Sequence, residues 1–99
     1  MAVGLILQFA GTGRAEYEAV NAKLGIDPAT GAGNWPGGML SHTAGLTGDG
    51  SLVVIEIWES HDAQGRFMAE RLGRAIQESG VTAAPQITWF DVISNNSIK

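Results

Sequence analysis

Cysteine is absent from the 99 residues, which excludes disulfides, thiolate nucleophiles and cysteine-based metal sites and fits a reducing cytoplasm, the expected compartment. Positive charge is scarce: six Lys and Arg stand against ten Asp and Glu, a formal net charge of −4, with no basic cluster. Nucleic acids and anionic membranes both call for a basic footprint, so neither is an expected partner. Long apolar runs are missing too. Val3-Gly-Leu-Ile-Leu7 is too short to cross a bilayer, and the first 13 residues carry no charged side chain, so the basic start of a signal peptide is lacking. Gly11-Thr-Gly13 and Gly37-Gly38 have no phosphate-loop lysine or dinucleotide fingerprint and read as turns. No nucleophile-elbow motif occurs, and two well-separated histidines without a third ligand do not make a metal site, so neither metal nor cofactor is expected.

What remains is a globular composition, 44% hydrophobic, sized for one domain expected over residues 1–93 with a flexible tail over 94–99. Val3 to Ala10 reads as a strand. Tyr17, Val20 and Leu24 recur at helical spacing between Arg14 and Gly25, which is placed to end the helix; Thr12 is a candidate cap. Residues 25–38 hold two of the three prolines and five of the fourteen glycines, so a long irregular loop is expected, with Trp35 as an apolar anchor that could close over a pocket or pin the loop to the core. Met39 to Leu46 and Ser51 to Glu59 form a hairpin around Thr47-Gly-Asp-Gly-Ser51, whose register sets His42 opposite Glu56 and Leu40 beside Trp58. Ser60 caps a second helix running to about Ser79, and Gln86 to Ile93 is the last strand.

The order strand, helix, strand, strand, helix, strand predicts an α+β ferredoxin-like βαββαβ fold, a four-stranded antiparallel sheet in the order 4-1-3-2 with both helices on one face. Ser51 to Ser60 is the most telling stretch, because both of its faces are apolar apart from Glu56. Two helices cover one face only, so a second copy is expected to cover the other, closing a homodimer around a cavity. The uninterrupted row Val53, Ile55 and Ile57 is expected to face the helices, along with Val3, Leu5, Leu7 and Phe9. Leu52, Val54, Glu56 and Trp58, with Ile6 and Gln8, are then expected on the open face. In the last strand either Thr88, Phe90 and Val92 or Ile87, Trp89 and Asp91 line that open face.

The junction Ile57-Trp-Glu-Ser60, followed by Ala63 and Phe67, together with this element order, resembles the dimeric α/β-barrel superfamily and, within it, the antibiotic-biosynthesis-monooxygenase-like small proteins. The resemblance implies a barrel of two sheets enclosing a small molecule, and a menu that includes cofactor-independent oxygenases, haem-degrading enzymes and lactone isomerases. Many monooxygenase-like members carry a histidine nine residues after the tryptophan. Phe67 stands there in this chain, so that role is not carried over, and His61 in the first turn of the second helix, read as solvated, does not match the haem-degrading pattern.

His42 and Glu56 are the candidate catalytic residues: the carboxylate orients one ring nitrogen and leaves the other to move a proton. Gln8, Trp35, Leu40, Trp58 and Phe90 are the candidate substrate-binding residues. The expected function is proton transfer on an apolar, aromatic or polyketide-like small molecule, as a cofactor-independent monooxygenase, isomerase or cyclase. The rival readings are a non-catalytic ligand-binding or stress-associated dimer, and a pair that only stabilises an interface.

Overall fold

A computed structural model describes residues 1–81 and 84–98; Lys99, the end of the expected tail, lies outside them. Strand β1 (Val3–Phe9) leads through Gly11 and Gly13 into helix α1 (Arg14–Leu24). The cap is Gly13 rather than Thr12: its N–H donates to the Glu16 carboxylate at 3.2 Å, while Thr12 is buried and its carbonyl accepts the Leu52 N–H at 2.9 Å. Gly25 ends α1 in the left-handed conformation, φ 76°.

The long loop is not wholly irregular, as its composition had suggested. It contains a small hairpin, β2 (Ile26–Asp27) with β3 (Ala32–Gly33). Asp27 holds its turn by accepting from Ala29 N–H at its side chain and Gly31 N–H at its carbonyl. Two-residue strands leave no periodic trace in a sequence, which is why composition alone missed them. A side chain at Gly33 would run into the Gly25 backbone, so glycine is what lets the two strands close.

Strands β4 (Met39–Leu46) and β5 (Leu52–Trp58) pair as expected from the loop, Leu46 with Leu52, Ala44 with Val54 and His42 with Glu56. The register slips by one beyond Ser41: Met39, not Leu40, lies opposite Trp58, and Leu40 is the extra residue of a β-bulge. Helix α2 (His61–Phe67) starts at Ser60, whose hydroxyl accepts the Ala63 N–H at 3.1 Å. It continues through one wide π-turn over Met68–Leu72 into α3 (Gly73–Glu78). Strand β6 (Gln86–Asp91) completes an antiparallel sheet ordered β4-β5-β1-β6, the expected ferredoxin-like topology.

The face assignment of β5 is reversed from the sequence expectation. Leu52, Val54, Glu56 and Trp58 are the buried row, paired across the pleat with Phe9, Leu7, Leu5 and Val3 on the helix side. Val53, Ile55 and Ile57 face away from the helices, and Ile55 is 41% exposed. An unbroken apolar row was a poor criterion because a single carboxylate can sit in a core once its oxygens are hydrogen-bonded. For β6, pairing of Val3 with Asp91 and Leu5 with Trp89 puts Thr88 and Phe90 on the open face, where the Phe90 ring lies against Gly4 and leaves no room for a Cβ there.

Candidate functional site

Between the sheet and the helices lies a mostly apolar cavity of about 70 Å³. Leu7, Phe9 and Val54 form its floor, Val20, Leu24, Leu72 and Ile76 its helical wall, and Trp35 and Met39 its loop side. The expected cavity was placed between two sheets; this one lies within a single chain, on the opposite side of the sheet.

Its polar end is a connected chain of four side chains. Trp58 is fully buried, at 0% exposure, and its indole N–H donates to Glu56 Oε1 at 3.0 Å. Glu56 Oε2 lies 3.1 Å from His42 Nδ1, and His42 Nε2 lies 2.8 Å from the Tyr17 hydroxyl. Indole is a donor only, so Oε1 must accept. With Glu56 ionised, Oε2 accepts from Nδ1–H and leaves Nε2 to accept from Tyr17 O–H. Glu56 and His42 are held on neighbouring strands by the hairpin register, at 5% and 14% side-chain exposure. Tyr17 reaches them from α1, its ring nearly parallel to the imidazole with centroids 6.0 Å apart. Burial raises the Tyr17 pKa above 10.0, Asn21 opposes this through a hydrogen bond, and the Glu56 charge adds to the rise. No buried side-chain nitrogen or oxygen among the described residues lacks a partner.

The loop is tied over this site. Trp35 stands 5.3 Å from the His42 ring, tilted by 54°, and its indole N–H donates to the Gly31 carbonyl at 3.0 Å. Arg71, on the π-turn, donates to the carbonyls of Leu24 at 2.9 Å and Asn34 at 2.6 Å, and so fastens the loop to the end of α1.

Of the candidate residues, His42, Glu56 and Trp35 meet at the cavity. Trp58 lies beneath it, bonded to Glu56 and packed on Phe67, and does not line it. The other three lie elsewhere: Gln8 is exposed and Phe90 turned to the open face of the sheet, while the bulge leaves Leu40 52% exposed. Tyr17 was missed as a polar group because the helical stripe presented it as one more apolar residue. The available signal was that it is the sole tyrosine and sits in that stripe.

No protein-family model matches the sequence, nor does any curated protein. Solved structures do. SnoaB, a cofactor-independent oxygenase from Streptomyces nogalater, is similar at 22% identity over 95% of each chain, with a TM-score of 0.67. Rv0793 from Mycobacterium tuberculosis is similar at 19% identity, TM-score 0.67, over 98% of this chain and 100% of its own. A candidate antibiotic biosynthesis monooxygenase from Chloroflexus aurantiacus J-10-fl matches over 100% of both chains at 16% identity, TM-score 0.68. At such identities the likeness establishes the fold: this chain has the ferredoxin-like fold of the antibiotic-biosynthesis-monooxygenase-like proteins.

Proposed function

We propose that the protein is a small-molecule enzyme that binds an apolar, aromatic or polyketide-like substrate and acts on it by proton transfer, with His42 as base and Glu56 as its orienting partner. The observation that carries this reading is His42 itself, held between a carboxylate and a phenol at the end of an apolar cavity. Such pockets, largely apolar with a few convergent polar groups, are the usual sites of small ligands. The likeness to a cofactor-independent oxygenase favours oxygenation among the outcomes, since removing a proton from an electron-rich hydroxyaryl lets the substrate itself react with oxygen. Isomerisation and cyclisation call for the same base. A panel of hydroxylated polycyclic aromatics, followed by oxygen uptake and product mass, tests this. Turnover that His42→Ala abolishes while the fold persists is the expected result; equal turnover in that variant overturns the assignment.

A second reading, a binding protein without turnover, is favoured by one observation: both His42 nitrogens and both Glu56 oxygens already have partners inside the chain. A ligand then binds with affinity but leaves unchanged, and His42→Ala weakens binding.

The homodimer belongs to the same proposal. Ile6, Val53, Ile55, Ile57 and Phe90 make an apolar patch on the sheet face away from the helices, flanked by Gln8, Thr43 and Thr88, with Ile55 and Phe90 41% and 39% exposed in the single chain. Surfaces of that kind ordinarily find a cover. A second copy, face to face, is the proposed one.

A further inference from the structure

Resting on the proton-transfer reading above, we infer that Tyr17, rather than His42, is the catalytic group that touches the substrate, and that the substrate is an uncharged hydroxyl-bearing ring. Three observations lead there. First, His42 Nε2, the nitrogen that Glu56 leaves unbonded, is occupied by the Tyr17 hydroxyl at 2.8 Å. A substrate proton reaches the imidazole through that oxygen or must first displace it.

Second, of the two spaces bordered by described residues, Tyr17 lines both and His42 lines the inner one. Besides the inner cavity, a shallow outer depression of about 360 Å³ is bordered by Arg14, Tyr17, Ala44, Gly45, Leu46 and Leu52. Tyr17 and Leu52 border both spaces, so the phenol stands in the partition between the inner cavity and the outer depression.

Third, Glu16 and Glu56 line the inner cavity and no Lys or Arg does among the described residues. Within the inner cavity an anionic substrate would meet carboxylates with no Lys or Arg to compensate them, so a neutral one is preferred there.

The step balances as a double transfer. The substrate O–H breaks as a new O–H forms on Tyr17 Oη, and the original Tyr17 O–H breaks as N–H forms on His42 Nε2. Substrate becomes an oxyanion, Tyr17 ends as it began, and the imidazolium is paired with Glu56. Tyr17 never has to exist as a free phenolate, which suits a hydroxyl whose proton burial holds more tightly.

The test uses para-nitrophenol, whose visible absorbance appears on ionisation, at saturating concentration and at a pH where the free phenol is mainly protonated. Wild type, Tyr17→Phe and His42→Ala are compared after circular dichroism has shown each to be folded. The expected result is an ionised bound phenol in wild type and at least a roughly tenfold lower ionised-to-neutral ratio in both variants, a loss of about 1.4 kcal/mol or more. Ionisation retained by Tyr17→Phe and lost by His42→Ala overturns the role of Tyr17 and leaves the proton-transfer reading standing. No ionisation in wild type, or ionisation unchanged in His42→Ala, overturns both. The substrate part is read from binding of para-nitrobenzoate, a carboxylate of similar shape. It is expected at least tenfold weaker than that of the phenol, and equal or tighter binding overturns the preference for a neutral ring.

Discussion

The two faces of the sheet solve opposite problems with nearly the same residue types. On the helix side, β5 buries a carboxylate and an indole among aliphatic neighbours, and each of their polar atoms is bonded. On the other side, β5 shows three β-branched residues and no polar atom at all, and leaves them partly exposed. Within β5, therefore, polarity marks the side that is complete within the chain, and the apolar side is the one left partly exposed.

Substitutions on the two faces should separate these roles. Trp58→Ala removes the most buried large side chain and the donor to Glu56 together, and is expected to cost about 3–5 kcal/mol in urea unfolding; a loss below about 1 kcal/mol would show that this face is not the core. Glu56→Leu leaves the Trp58 N–H and a His42 N–H without acceptors and should cost about 1–3 kcal/mol by the same measurement, whereas an unchanged midpoint would mean the network is dispensable. Ile55→Lys on the open face should change the stability of the single chain by no more than about 0.5 kcal/mol while converting a dimer to a monomer in sedimentation velocity. A dimer that survives it has its interface elsewhere.

The smallest effect is spectroscopic. Tyr17 is the only tyrosine, so the alkaline rise in phenolate absorbance reports on it alone. Its folded pKa lies above the unfolded value of 10.0, so its contribution to stability is complete below pH 10 and is lost as pH rises through the folded pKa. Tyr17→Phe should flatten that alkaline loss. Glu56→Leu should move the absorbance transition part of the way back toward the ordinary value, because burial remains while the Glu56 charge that adds to the rise is removed. A transition unmoved by Glu56→Leu would show that the two groups do not sense each other.

Much of this was legible in advance because it depends on short-range rules. Gly25 and Ser60 mark helix ends by backbone geometry and side-chain capping, and the Thr47–Ser51 loop, with Gly50 at φ 84°, fixes the pairing of His42 with Glu56. The reversed face of β5 was not legible from that strand alone. It is decided by which residues of β1 stand opposite, and by whether Glu56 finds donors in Trp58, two residues away, and in His42, fourteen away. Tyr17 was hidden for a related reason: helical spacing assigns a side chain to a face and says nothing of what its terminal atom meets there. The displacement of Leu40 needed a bulge that no residue type announces.

That bulge also bears on how the chain tolerates change in length. The His42–Glu56 pair is counted from the tight Thr47–Ser51 turn, with four residue pairs between, whereas the hairpin-bearing loop joins β4 at its other end. Leu40 takes up one residue of slack between them. An insertion or deletion in residues 25–38 can therefore be absorbed before Ser41 without re-phasing the strand. The loop over the cavity is free to change in length, while the hydrogen-bonded His42–Glu56 pair beneath it stays in step.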